Sequence, residues 1–301
     1  MIDSLNSAAQ SFLMGLSQIQ QRAQRAQTEL TTGLKINTVS DAPDQIAGLL
    51  QTRSDLARTQ QITDNLGRVK TEVDTAEEGL QSAVTLMQRA QTLGAQGASD
   101  VSSSDTRQNL ADEVGSILQQ LVSTANTTVE GRYIFSGDSD QQAPYSVDLS
   151  QTNPVSSYQG SAATRQVQAA DGSTFTVAMT AQDIFDAPTA ADNVFVSINN
   201  LRQALLNGDT SGISSALADV QSSSGYLNQQ LAFYGTVQDR VASATDFAQT
   251  YSTQLQTQLS GIQDADEAEA ITELTQAQTQ QQAALVSRAQ IPRTSLFDYL
   301  G

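Results

Sequence analysis

Leu5, Ala9, Phe12, Leu16, Ile19, Ala23, Ala26 and Leu30 stand alternately four and three residues apart. An apolar row that keeps this alternation for more than three heptads repeats every 3.5 residues, the period of a coiled-coil seam. Gln, Ser and Arg fill the other faces. As one helix, the 26 residues of the row would extend about 39 Å. A lone helix of that kind is marginal in water, because most helical stability comes from packing an apolar face. The segment therefore needs partners, either elsewhere in the chain or on other subunits.

The same pattern returns along the chain. Leu66, Val69, Val73, Ala76, Leu80, Ala83, Met87 and Ala90 form a second row, which the sequence predicts to fade at Gly94 and Gly97. "ASDVSSSDTR" reads as a loop, with Ser104 or Asp105 capping a helix that carries Leu110, Val114, Ile117 and Leu121 and runs into "TTVEGRYIFSG". From Gly137 to Pro188 the periodicity disappears. There Val167 and Ala169 alternate before Asp171-Gly172, and Phe175, Val177 and Met179 alternate after it, a hairpin signal. Helical spacing resumes at Val194, Ile198, Leu201 and Leu205 and continues to Pro292. The expected fold is mainly α: a long antiparallel, coiled-coil-like bundle of N- and C-terminal helices with a small inserted β module. The expected division is an N-terminal helical region 1–136, a β-rich module 137–190 and a C-terminal helical region 191–301.

Composition narrows the chemistry. The 301 residues include no Cys, His or Trp. This removes thiolate nucleophiles, disulfides and zinc–thiolate sites, along with the commonest general base and metal ligand. Thirty-two acidic against 15 basic residues give a net charge of -17, the wrong sign for a nucleic-acid partner. Residues 1–60 are neutral, whereas residues 100–200 carry twelve acids and three bases. A neutral end and an acidic middle suggest a buried or assembled terminus and a solvated middle. The N-terminus has no basic n-region or unbroken apolar h-region, and no stretch has the apolar length of a membrane span. The expectation is a protein with no membrane insertion that is cytoplasmic or exported without a cleaved signal peptide.

Two stretches could hold a ligand. "GLKINT" fails as a phosphate loop, because a P-loop needs a second glycine before its lysine and Ser or Thr after it. Asp41 reads instead as a helix N-cap, with Pro43 in the first turn and Asp44 near the third position. With Gly33 ending the preceding helix, these four residues define a helix joint. "DADEAEA", 264–270, lacks the glycine and glutamate spacing of a calcium loop and reads as a capped helix start. Nothing calls for a cofactor. The Gln-rich run 276–282 continues a seam from Ile271 and Leu274 toward Leu285, and polar residues in a seam fix register. Leu296, Phe297 and Leu300 form an apolar tail.

"ELTTGLKINTVSDAPDQIAG", "LMQRAQTLGAQGAS" (86–99) and "GIQDADEAEAITELTQAQTQQQAALVSRAQIP" resemble the terminal signatures of the bacterial flagellins and their hook-associated relatives. The resemblance covers roughly residues 1–135 and 225–301. "GRYIFSG" (131–137), "YQG" (158–160), "DIF" (183–185) and "SLFDYL" (295–300) look like the hook-associated branch, whereas "GLKIN" is closer to filament flagellin. The resemblance implies structural work in the flagellum, outside the cell, after export through the type III apparatus. The terminal helices, 1–32, 43–100 and 225–291, would form the inner tube. It implies as partners other axial subunits (hook-associated protein and flagellin), further copies of the chain in a ring, and an export chaperone. The readings that stand are an adapter between hook and filament, a filament-forming flagellin, and an enzyme with its site in the β module.

Overall fold

The computed structural model describes residues 2–99 and 102–289, with side chains from Ala9 onward. These residues form α1 (Ile2–Thr32), α2 (Ile46–Gly97), α3 (Ser104–Ala125), β1 (Thr128–Val129), β2 (Arg132–Tyr133), β3 (Gln166–Gln168), β4 (Thr174–Thr176), α4 (Ala181–Phe185), α5 (Val194–Asn207), α6 (Thr210–Gln263) and α7 (Glu267–Ala289). The fold is mainly α, with two small two-stranded antiparallel sheets, β1–β2 and β3–β4. No helix of the described residues is long and apolar enough to cross a membrane.

The chain divides into two compact units. One comprises residues 1–58 and 252–301, the other Thr59–Tyr251. The expected boundaries at 136 and 190 are not where the structure divides. Residues 137–190 share the core of the second unit, through Tyr145, Phe175, Ile184 and Phe185. Apolar residues this sparse cannot bury one another in a separate module, so they are buried on the helices instead.

In the second unit, α2, α3, α5 and α6 converge on one core. The row from Leu66 to Ala90 on α2 is buried, as are Leu110, Val114, Ile117 and Leu121 on α3 and Val194, Ile198, Leu201 and Leu205 on α5. α2 and α6 run antiparallel: Asp74 and Glu77 accept from Gln238, and Gly94 lies beside Leu217. α2 ends at Gly97, where the sequence predicts the pattern to fade, while Gly94 stays inside the helix. A β-carbon at Gly94 would crowd Leu217 and Leu201, and one at Gly97 would overlap Leu205. Both glycines serve the close approach of α5 and α6, a tertiary demand that helical spacing does not reveal. Arg107 Nε donates to the Gly97 carbonyl at the end of α2, where a cation favours the helix dipole. The cap of α3 is Ser103, not Ser104 or Asp105: its hydroxyl accepts from the Thr106 amide.

The β elements depart from their sequence reading in two places. "TTVEGRYIFSG" leaves the helix at Asn126 and makes the β1–β2 hairpin. Glu130 and Gly131, both at positive φ (51° and 77°), form its two-residue turn, the geometry that a right-twisted hairpin prefers. The β3–β4 hairpin forms around Asp171-Gly172, but its strands are shorter than the alternation suggests and are joined by the five residues 169–173. The Asp171 carboxylate accepts from the Ser173 amide and hydroxyl, and Gly172 takes φ 88°.

Glu72, buried on α2, fastens both hairpins to the helix. Its carboxylate takes two bonds from Arg165, at 2.6 and 3.1 Å, and one from Arg132 at 3.3 Å. Behind these lies a chain of aromatic contacts. Tyr234 meets Phe135 edge-on, Phe135 meets Phe185, Phe185 stacks on Phe195, and Phe195 meets Tyr145. Burial pushes the phenols of Tyr145, Tyr158 and Tyr234 above their ordinary range, Tyr158 to about 12.

Candidate assembly surface

α1 and α7 of the first unit pack antiparallel. Arg288 lies over the Phe12 ring at 5.6 Å, Arg22 pairs with Glu273 at 3.6 Å and donates to Gln280 at 2.9 Å, and Gly33 bonds Ala265. On α1 the covered row is Ala9, Phe12, Leu16, Ile19, Ala23, Ala26 and Leu30, half-buried except for the fully buried Ala26, while most residues between them are exposed. On α7 the covered row is Ala270, Leu274, Ala277, Gln281 and Ala284, again alternating four and three. Gln281 is therefore a polar residue within the seam.

The seam does not run through Ile271 or Leu285. These are 54% and 50% exposed on the outer side of α7, with Val286 nearby, also exposed. The reason is register: Ala270 and Ala277 face α1, which turns the next residue along outward. On α1, Leu13 and Met14 are 62% and 65% exposed. The pair thus has two apolar faces, one half-covered between its own helices and one open. The side chain of Leu5, and Leu296, Phe297 and Leu300, lie outside the described residues.

Two helix breaks meet below this pair. α1 ends at Gly33, at φ 71°, whose amide donates to the Glu29 carbonyl. α6 ends at Gln263, and Asp266 opens α7 by accepting from the amides of Ala268 and Glu269. Leu34 and Asp264 form an antiparallel bridge across the breaks, with Lys35 N to Gln263 O at 2.8 Å and Ala265 N to Gly33 O at 2.9 Å. Lys35 Nζ adds a bond to the Gly261 carbonyl, and Arg53 one to the Gln263 side chain.

Asp41 does not cap α2. Its Oδ2 reaches back to the amides of Asn37 and Thr38, at 2.9 and 2.7 Å, and closes the turn before the helix. Those two amide bonds hold its carboxyl below the ordinary range. Pro43 and Asp44 lie in the exposed turn that follows, and α2 begins at Ile46, whose amide bonds the Ala42 carbonyl. A proline two residues after an Asp is equally compatible with a turn and with a helix start, so spacing alone could not choose. Glu29 sits nearby with its carboxyl raised by partial burial, with Glu269, Asp41 and Glu273 adding to the rise.

The arrangement presents surfaces for packing. Among the described residues no group of three or more acidic, His or Cys side chains is placed to hold a metal. Residues 4–140 match the bacterial flagellin N-terminal helical region, and residues 213–300 match the bacterial flagellin C-terminal helical region. The chain is 27% identical over 128 residues to a flagellin from Clostridium tyrobutyricum, covering 42% of this chain and 34% of that one. It is 26% identical over 182 residues to flagellar hook-associated protein 3 of Escherichia coli K12, covering 60% and 56%. These alignments span about a third and just over half of the relatives' lengths. The fold is similar to that of flagellar hook-associated protein 3 from Legionella pneumophila, with a TM-score of 0.61 at 15% identity, covering 70% of this chain and 98% of that one. With both terminal helical regions matched, together about three-quarters of its length, the chain belongs to the bacterial flagellin family.

Proposed function

We propose that this chain is a structural subunit of the bacterial flagellum, exported without a cleaved signal and assembled at the junction of hook and filament through α1 and α7. The open apolar face of that pair carries the proposal. Leu13, Met14, Ile271, Leu285 and Val286 remain exposed on helices that already cover one seam between themselves. Apolar side chains held in this way are what a subunit keeps for its neighbours. Gln281 in the covered seam limits slippage, so that face is offered in one register.

The junction position is favoured by the curated hook-associated relative, by the likeness of fold and by "GRYIFSG", whose Gly131 makes the β1–β2 turn and whose Phe135 is buried in the aromatic chain. The partners would be hook-associated protein and flagellin above and below, further copies of this chain in a ring, and a chaperone before export. A second reading, filament flagellin, is favoured by the Clostridium relative. Purified subunits separate the two. A junction subunit stays short-chained alone, and cells without it make hooks and shed flagellin. Long filaments grown from this chain alone would assign it to the filament.

A further inference from the structure

The second unit carries 21 acidic against eight basic residues, a net charge of -13. Most of that charge is scattered, but one part of it surrounds a cleft. Between the β3–β4 hairpin and α6 lies an open cleft of about 460 Å3. Its floor is aromatic. Phe175 is buried there beneath the Arg240 guanidinium, 5.2 Å from the ring centre. Phe247 is 48% exposed and stacks on Tyr251 one turn further along α6, centroids 6.1 Å apart.

The edge of this cleft is acidic, and the fold leaves its carboxylates unspent. Asp171 engages Ser173 through Oδ1 and keeps Oδ2 free. Asp239 is exposed on α6, and Asp246 lies two turns on, beside Phe247; neither has a partner among the described residues. Asp171 and Asp239 thus line the cleft with a half-exposed aromatic ring and one arginine whose flat face is taken up by Phe175, and Asp246 precedes that ring on α6.

We propose that this cleft docks a basic segment of a partner protein. An apolar side chain of that segment would rest on Phe247, and its Lys or Arg residues would pair with Asp171 and Asp239. The charge of the unit draws such a segment in from a distance, and the ring gives it an anchor that attracts cations as well as apolar groups. Nucleic acid or an acidic peptide would meet like charge at Asp171 and Asp239 and in the net charge of the unit. The inference does not depend on where in the flagellum the chain works.

The test uses the full chain and a fluorescein-labelled peptide of four lysines and one tryptophan in a Gly-Ser background, followed by anisotropy. The peptide is expected to bind and to weaken at least fivefold between about 50 and 200 mM salt, as screening predicts. A matching peptide with glutamates in place of lysines should not bind. Phe247→Ala and Asp239→Asn should each weaken binding at least threefold. Asp112→Asn, which removes one charge from exposed α3, should leave it unchanged. Absence of binding at low salt, equal binding of the glutamate peptide, or an equal loss in Asp112→Asn and Asp239→Asn would overturn the proposal. The last result would reduce the attraction to overall charge.

Discussion

Glu72 is the buried carboxylate on which two hairpins depend, while Arg132 and Arg165 are 40% and 38% exposed. That asymmetry sets a direction. Removing the acid lets both arginines turn to water, whereas removing the arginines strands a charge in a site that is 10% exposed. Glu72→Gln should cost about 1–3 kcal/mol, and the double substitution of Arg132 and Arg165 by Met should cost more. Thermal unfolding followed by circular dichroism would show this as a drop of about 2–4 °C per kcal/mol in a unit of this size. A smaller loss in the double variant would mean that Glu72 is not the dependent partner. The helical glycines make a second pair of opposites. Gly97→Ala must displace Leu205 and should cost about 1–3 kcal/mol. Gly235→Ala, with nothing within 4 Å of the new carbon, should gain about 0.5–1 kcal/mol from helix propensity.

At the scale of elements, the aromatic chain and the helix joint respond to opposite ends of the pH range. Buried phenols keep their protons in the folded second unit, Tyr158 up to about 12, while an unfolded chain gives them up near 10. A raised pKa gives stability that is full below the unfolded value and lost as pH rises through the folded one. Tyrosinate absorbance and helix loss should therefore appear together between about pH 10 and 12. Asp41 has the opposite sign. Its depressed pKa gives stability to the turn that is present at neutral pH and lost as pH falls through and below the ordinary carboxylate range. Asp41→Asn should abolish that acid response, and amide exchange at Asn37 and Thr38 would report it. Exchange there that does not change between neutral and acid conditions would rule out the clip. Gly33→Ala forces an alanine to φ 71° and should cost about 1–2 kcal/mol at the same joint.

For the whole molecule, the open face of α1 and α7 predicts that assembly and folding can be separated. Ile271→Asp with Leu285→Asp changes side chains that are half-exposed and outside the covered seam. The unfolding temperature of the second unit should stay within about 1–2 °C, since surface changes away from packed features are small. Incorporation into flagella, scored by motility and by flagellin lost to the medium, should fall at least tenfold. Normal incorporation of that variant would place the assembly contacts elsewhere.

The helices were legible because their apolar rows recur at a fixed period. The rows from Leu66 to Ala90 and from Leu110 to Leu121 needed no partner to be recognised. Turn chemistry was legible where one residue type dominates, as at Gly33 and Asp171-Gly172, and illegible at Glu130-Gly131, where strands of a single alternation period leave no pattern. Glu72 carried no signal, since its partners lie 60 and 93 residues away. The alternation determined by itself that α1 must have a partner, because a helix with one apolar face is marginal in water. Only the tertiary structure decided which face of α7 answers it. Ala270 and Ala277 let the two backbones meet, and that choice of register turned Ile271 and Leu285 outward, to solvent.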